Sequence, residues 1–64
     1  GAVRIYGEDG KIIVETPEGG TVLVSDIAGH TGEYPVTAGR NVITPWTDGF
    51  LIISFNNKTI KIKL

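Results

Sequence analysis

Short runs of alternating apolar and polar residues fill most of this chain, and turn residues separate one run from the next. A two-residue period is typical of half-buried strands, because successive side chains on a strand point to opposite faces. Strands are therefore predicted at residues 3–6, 11–15, 21–25, 33–36, 41–44, 50–55 and 59–64. No segment has the 3.6-residue period of a helix, so the pattern predicts an all-β protein.

The alternation also predicts which side chains face the core. The expected inward residues are Ile12, Val14, Val22, Val24, Tyr34, Val36, Ile60, Ile62 and Leu64. Pro35 has no backbone N–H to donate to a neighbouring strand, so residues 33–36 are expected at the edge of a sheet. The most apolar run, residues 50–55, reads as a central strand that is largely buried on both faces.

The turns between these runs have recognisable chemistry. Asp9-Gly10 predicts a tight hairpin between the first two strands, within a turn at residues 7–10, and Asn56-Asn57-Lys58 predicts one between the last two. Asp26 and Gly29 predict a reversal after the third strand. An aspartate there can accept hydrogen bonds from backbone N–H groups a few residues on, and glycine can adopt a positive φ.

About seven short strands with turns every eight to twelve residues predict a small immunoglobulin-like antiparallel β-sandwich. With 64 residues, the chain is expected to form a single domain spanning residues 1–64. Such a short chain buries only about 60% of the surface that its unfolded form exposes, so a deep catalytic cleft is not expected.

Composition removes several classes of function. Six basic and seven acidic residues give a formal charge of −1 with no basic cluster, so a nucleic-acid partner is not expected. The longest apolar run is far too short to span a membrane. The chain has no cysteine, which excludes disulfides and thiolate metal sites. No cofactor or metal is expected.

Few residues are candidates for chemistry. Ser25, Asp26 and His30 can be named as a hydrolytic set, but they lie on one strand end and its turn, and a turn-forming role for Asp26 is favoured. The loop aspartates are separate candidates for weak calcium binding, but no metal-ligand spacing supports them. Trp46 follows Pro45 in a loop, where an indole can stack on a sugar or anchor a partner, although capping one end of the core is the favoured interpretation.

Four sequence features follow one another between residues 22 and 64. Residues 24–29 read Val-Ser-Asp-Ile-Ala-Gly, a strand that runs into an Asp-x-x-Gly turn. Residues 39–43 read Gly-Arg-Asn-Val-Ile, and residues 49–53 continue with Gly-Phe-Leu-Ile-Ile. Residues 57–64 end on a lysine-rich alternating strand. In this order the features resemble the C-terminal sorting domain of cargo proteins of the type IX (Por) secretion system of Bacteroidetes.

This resemblance implies a non-catalytic domain at the C-terminal end of a larger protein. Such domains guide a cargo through the periplasm and the outer membrane to the cell surface, and the partner is the outer-membrane secretion machinery. The turn-motif residues of the family correspond to Asp26, Gly29, Gly39, Asn41 and Gly49. The last hairpin is the expected recognition surface, with Lys58, Lys61, Lys63 and Leu64 as its residues, because a terminal edge strand offers unpaired backbone groups to a partner.

The alternative is a structural or carbohydrate- or protein-binding β-sandwich module of a cell-surface protein. Trp46 and Tyr6 would then be the ligand contacts. A homodimer formed through edge strands is a further expectation, since small sandwiches expose unpaired strand edges.

Overall fold

The computed structural model describes residues 2–64 and is an all-β sandwich. Its seven strands are β1 (Arg4–Glu8), β2 (Lys11–Thr16), β3 (Gly20–Asp26), β4 (Thr31–Val36), β5 (Gly39–Ile43), β6 (Phe50–Phe55) and β7 (Lys58–Lys63). All pairings are antiparallel. Over residues 2–64 there is no helix, so the predicted fold class is confirmed.

The two sheets have the strand orders β1-β2-β5 and β4-β3-β6-β7. Sequence pattern alone does not give this connectivity. In the constant-type immunoglobulin arrangement the fourth strand joins the sheet of the first, second and fifth strands. Here β4 instead pairs with β3, because only the turn at residues 27–30 separates them and a turn that short brings the chain back beside the strand it left.

The core lies between the two sheets and is entirely aliphatic apart from one phenylalanine. Its buried members are Ile12, Val14, Val22, Val24, Val36, Ile43, Leu51, Ile53, Phe55 and Ile62. Tyr34, Ile60 and Leu64 are partly buried against this cluster. The predicted inward positions are therefore confirmed, and Pro35 lies on β4, which is one of the two edge strands of its sheet.

Strand β6 is not buried on both faces, so that prediction was wrong. Leu51, Ile53 and Phe55 are buried, whereas Phe50 and Ile52 remain 46% and 43% exposed. A sandwich has only two layers, so each sheet has one face against the core and one face outward. The continuous apolar run at 50–55 therefore places two large apolar side chains on the surface.

Two predicted hairpin turns are shorter in the structure than in the sequence interpretation. Gly7 and Glu8 belong to β1, and the first turn consists of Asp9 and Gly10, with φ of 52° and 74°. Lys58 likewise belongs to β7, after a turn formed by Asn56 and Asn57. Two-residue turns with positive φ match the twist of the flanking strands, so pairing continues up to the turn itself.

Ile13 forms a small second apolar site on the outer face of the three-stranded sheet. Its neighbours Ile12 and Val14 face the core, yet Ile13 is only 2% exposed. It lies between its cross-strand partners Tyr6 and Val42. An ion pair between Glu8 on β1 and Arg40 on β5, at 2.9 Å, passes over the central strand β2 and shields this side chain from water.

Candidate functional site

The Asp26 carboxylate organises the turn between β3 and β4. Its Oδ1 accepts hydrogen bonds from the backbone N–H groups of Ala28, at 3.0 Å, and His30, at 2.9 Å. Gly29 has φ of 92° and donates its N–H to the backbone oxygen of Asp26 at 3.2 Å. The predicted turn role of Asp26 and Gly29 is confirmed.

Trp46 joins the β5–β6 connection to this turn. Its indole Nε1–H donates to Oδ2 of Asp26 at 2.9 Å, and Nδ1 of His30 lies 3.0 Å from the same oxygen. The indole also lies over Gly32, since a methyl group added there would come within 2.9 Å of Trp46 Cζ3. Gly32 pairs with the buried Val24, so this contact is on the inner face of β4. Trp46 therefore covers one end of the sandwich while remaining 43% exposed.

These contacts stabilise the ionised form of Asp26. The hydrogen bond from Trp46 has the largest effect on the Asp26 pKa, and the hydrogen bonds from His30 lower this pKa further. Together they outweigh burial, which acts to raise it. They lower the pKa of Asp26 from 3.8 to about 2. The carboxylate is thus charged throughout the physiological pH range and serves as an acceptor for the turn.

Ser25 does not belong to this cluster. Asp26 faces the same side as its cross-strand partner Leu51, which is buried, whereas Ser25 alternates to the outer face beside Ile52. Asp26 and His30 meet without a nucleophile, so the named hydrolytic set is not assembled. Within residues 2–64, no three His, Cys, Asp or Glu side chains converge as a metal site.

Asn41 closes the turn between β4 and β5. Its Oδ1 accepts from the backbone N–H of Thr37 at 3.0 Å, and its Nδ2 donates to the carbonyl oxygens of Thr37, Gly39 and Val14 at 2.8, 3.3 and 3.2 Å. Gly39 has φ of 109°, a conformation that favours glycine. The Gly-x-Asn element is therefore a turn-closing device.

Gly49 immediately precedes the last hairpin, Leu64 follows it, and the two residues are hydrogen-bonded to each other. The Leu64 N–H donates to the Gly49 carbonyl oxygen at 2.8 Å, and Gly49 has φ of 89°. The Leu64 side chain packs against the core and approaches Gly7 on β1. Leu64 consequently contributes to packing between the sheets more than to the free surface.

Lys58 and Tyr6 are also engaged within the molecule. Lys58 Nζ donates to the Val3 carbonyl oxygen at 3.1 Å, which ties β7 to the N-terminal segment. The Tyr6 hydroxyl donates to Glu15 at 3.0 Å, and the Arg4 guanidinium lies 5.1 Å from the Tyr6 ring centroid. Tyr6 lies on β1 of the three-stranded sheet, whereas Trp46 lies in the β5–β6 connection against β4, so the two residues do not form a shared ligand surface.

Lys61 and Lys63 alone of the predicted recognition residues occupy an open face. Both alternate with the buried Ile62 and therefore point outward from the four-stranded sheet. Their ammonium groups lie 4.9 and 5.7 Å from the Phe50 ring centroid, within range of a cation–π interaction. Lys61 is the cross-strand partner of Ile52, and Lys63 is that of Phe50.

We refer to five outward residues of this sheet as the basic–apolar face. They are Leu23, Phe50, Ile52, Lys61 and Lys63. The three apolar members are 38%, 46% and 43% exposed. Sequence reasoning identified the lysines but missed the apolar residues, because the run at 50–55 was interpreted as doubly buried. In an antiparallel sandwich, every second residue of a strand faces outward. This rule, applied to residues 50–55, would have identified Phe50 and Ile52 as surface residues.

Residues 2–64 enclose no pocket or cleft in which a small molecule would be surrounded. The same residues include no helix with the length and hydrophobicity that membrane crossing requires. The chain matches no protein-family model, and neither a curated protein nor a solved structure is significantly similar to it.

Proposed function

We propose that this domain is a non-catalytic C-terminal sorting domain, which directs a larger cargo protein through the periplasm and outer membrane to the cell surface. The basic–apolar face carries this proposal. It lies mainly on the β6–β7 hairpin, the element in which the resemblance to type IX sorting domains predicts recognition. A folded sorting signal must present residues that a partner can contact without unfolding it, and these outward side chains meet that requirement.

The roles of the turn-motif residues support the same proposal. Asp26, Gly29, Gly39 and Asn41 are used in turns, and Gly49 accepts a hydrogen bond from the last residue. Such residues specify the fold and leave the outward positions for recognition. Within the hairpin, Lys61 and Lys63 are the recognition residues, whereas Lys58 and Leu64 hold the hairpin against the rest of the domain.

A protein-binding module of a cell-surface protein is the second candidate. The same basic–apolar face favours it, because an exposed apolar patch rimmed by polar residues is typical of protein contact surfaces. A carbohydrate-binding role is less well supported, since the Trp46 nitrogen is committed to Asp26 and the Tyr6 hydroxyl to Glu15. A measurement of export distinguishes the sorting domain from the protein-binding module.

A reporter fused ahead of residues 1–64 tests the proposal in two hosts, one with an intact type IX system and one without its translocon. Export in the first host alone is expected. Absence of export from both, with the fused domain shown to be folded, would refute the sorting function and favour the binding module. Deletion of residues 59–64 should also block export, but it removes three packed residues, namely Ile60, Ile62 and Leu64.

A further inference from the structure

The four-stranded sheet leaves part of its outer face both apolar and positively charged. Leu23, Phe50 and Ile52 are exposed at outward positions of β3 and β6. Ile27, in the turn that continues β3, is 86% exposed. Of the six large apolar residues that are exposed within residues 2–64, four lie on β3, on β6 or in the turn that follows β3. The other outward positions of these two strands are Thr21, Ser25 and Ser54.

In the part of the chain that the structure describes, the two lysines of this face are not engaged in ion pairs. Over residues 2–64, neither Lys61 nor Lys63 forms an ion pair, and both ammonium groups lie near the Phe50 ring instead. Glu33 is the one acidic residue at an outward strand position of this sheet. It lies on β4 opposite Leu23, three strand spacings or about 14 Å from the lysines of β7. Phe50 is therefore flanked by two cations that form no ion pair with any described residue.

We propose that the basic–apolar face is a docking surface for a protein segment that presents apolar and carboxylate side chains together. Apolar side chains of the segment cover Leu23, Phe50 and Ile52, while its carboxylates pair with Lys61 and Lys63. Such pairing is complementary in both charge and polarity. The identity of the protein that supplies the segment rests on the proposed function, and under that function it is a component of the secretion machinery.

Two other occupants fit this face less well. At its outward strand positions a second copy of the domain presents the same two lysines and one carboxylate, that of Glu33, so a face-to-face dimer leaves positive charge unpaired. An anionic membrane attracts proteins through an extended basic surface. This chain has a net charge of −1, and its basic–apolar face has only two lysines, so long-range attraction to such a membrane is lacking.

A titration followed by NMR tests this docking surface. The ¹⁵N-labelled domain is mixed with a short synthetic peptide that alternates valine and glutamate, or with the same peptide carrying lysine in place of glutamate. The glutamate peptide is expected to shift the amide signals of Leu23, Phe50, Ile52, Lys61 and Lys63, and the lysine peptide to leave them unchanged. Equal effects from both peptides, or shifts confined to the three-stranded sheet, would overturn the proposal.

Charge reversal provides the matched control. The double variant Lys61→Glu/Lys63→Glu should weaken binding of the glutamate peptide about tenfold, as expected for the loss of two exposed ion pairs and the gain of two repulsions. Lys11→Glu, which reverses a charge at the start of β2 on the three-stranded sheet, should leave binding unchanged. Preserved spectra of each variant verify folding. Unaltered binding by the double variant would contradict the assignment of the lysines.

Two further measurements distinguish the other occupants. If the amide signals of this face change with protein concentration alone, the occupant is a second copy of the domain. If the domain binds phosphatidylglycerol vesicles but not the glutamate peptide, the occupant is a membrane surface. Either result overturns the proposal. If the domain supports export but does not bind the glutamate peptide, only the proposed chemistry of the partner segment is contradicted. If the domain binds the glutamate peptide but does not support export, only the proposed sorting function is contradicted.

Discussion

The indole nitrogen of Trp46 donates a 2.9 Å hydrogen bond to Oδ2 of Asp26, although the two residues are 20 positions apart in the chain. This contact links the β5–β6 connection to the turn between β3 and β4. The other oxygen of the same carboxylate binds two backbone N–H groups of that turn. One acidic side chain therefore fixes both a local turn and a distant loop.

Acid should weaken this arrangement within a defined pH range. Because folding lowers the pKa of Asp26 from 3.8 to about 2, the ionised carboxylate stabilises the folded state. This contribution is complete above about pH 4 and is lost as the pH falls towards 2. A carboxyl NMR titration should give a midpoint near 2 for Asp26, and Trp46→Phe should raise it. An unshifted midpoint of 3.8 in the unaltered protein would contradict the observed geometry.

Removal of the Asn41 side chain should destabilise the domain. Asn41→Ala eliminates four hydrogen bonds in and beside the β4–β5 turn, and we expect a loss of about 2 kcal/mol in the free energy of unfolding. Urea denaturation measures this change.

The variant Asn41→Asp gives a specific control for that interpretation. Aspartate keeps the acceptor for the Thr37 N–H but places a carboxylate oxygen against three carbonyl oxygens that Asn41 Nδ2 now contacts. It should be at least as destabilising as alanine at pH 7 and less so in acid, where the carboxylate is protonated. A neutral effect of either substitution would show that the turn does not depend on these bonds.

Ile13 should behave as a core residue although it faces away from the core. Ile13→Ala is expected to cost about 2–4 kcal/mol, because the side chain is 2% exposed beneath its neighbours. Ile52→Ala is the matched comparison on the other sheet, where the side chain is 43% exposed, and it should cost about 1 kcal/mol or less. Equal losses in urea denaturation would contradict the shielding of Ile13.

The packing of Trp46 on Gly32 predicts strong coupling between these two positions. A methyl group at residue 32 would come within 2.9 Å of Trp46 Cζ3 and 3.2 Å of Tyr34 Cε2. Gly32→Ala should therefore cost about 1–3 kcal/mol and shift Trp46 fluorescence to longer wavelength as the ring becomes more exposed. In a Trp46→Ala background the same substitution should cost less. Additive effects of the two substitutions would exclude this contact.

The core and the turns were predictable because each depends on local chemistry. Ile12, Val14, Val22 and Val24 follow the two-residue period, and Asp26 with Gly29 forms the turn that their types predict. The pairing of β4 with β3 was not predicted, because the predicted strands ended at residue 25 and resumed at residue 33, which concealed how short the turn at residues 27–30 is.

The outward surface was harder to predict because alternation assigns a face without saying what covers it. Ile13 and Ile52 both face outward, yet the first is shielded by an ion pair between distant strands and the second is open. The contact between Trp46 and Asp26 likewise joins residues far apart in the chain. Such contacts depend on the complete tertiary arrangement and leave no periodic signal.

The most direct test of the sorting function is export of a reporter fused ahead of this domain, with single charge reversals compared in a host carrying the intact type IX system. Lys61→Glu and Lys63→Glu, at exposed positions that should change stability by less than about 0.5 kcal/mol, are expected to reduce export while the domain remains folded. Lys11→Glu should be exported like the unaltered domain. Normal export of a Lys61→Glu/Lys63→Glu double variant would contradict recognition through the basic–apolar face.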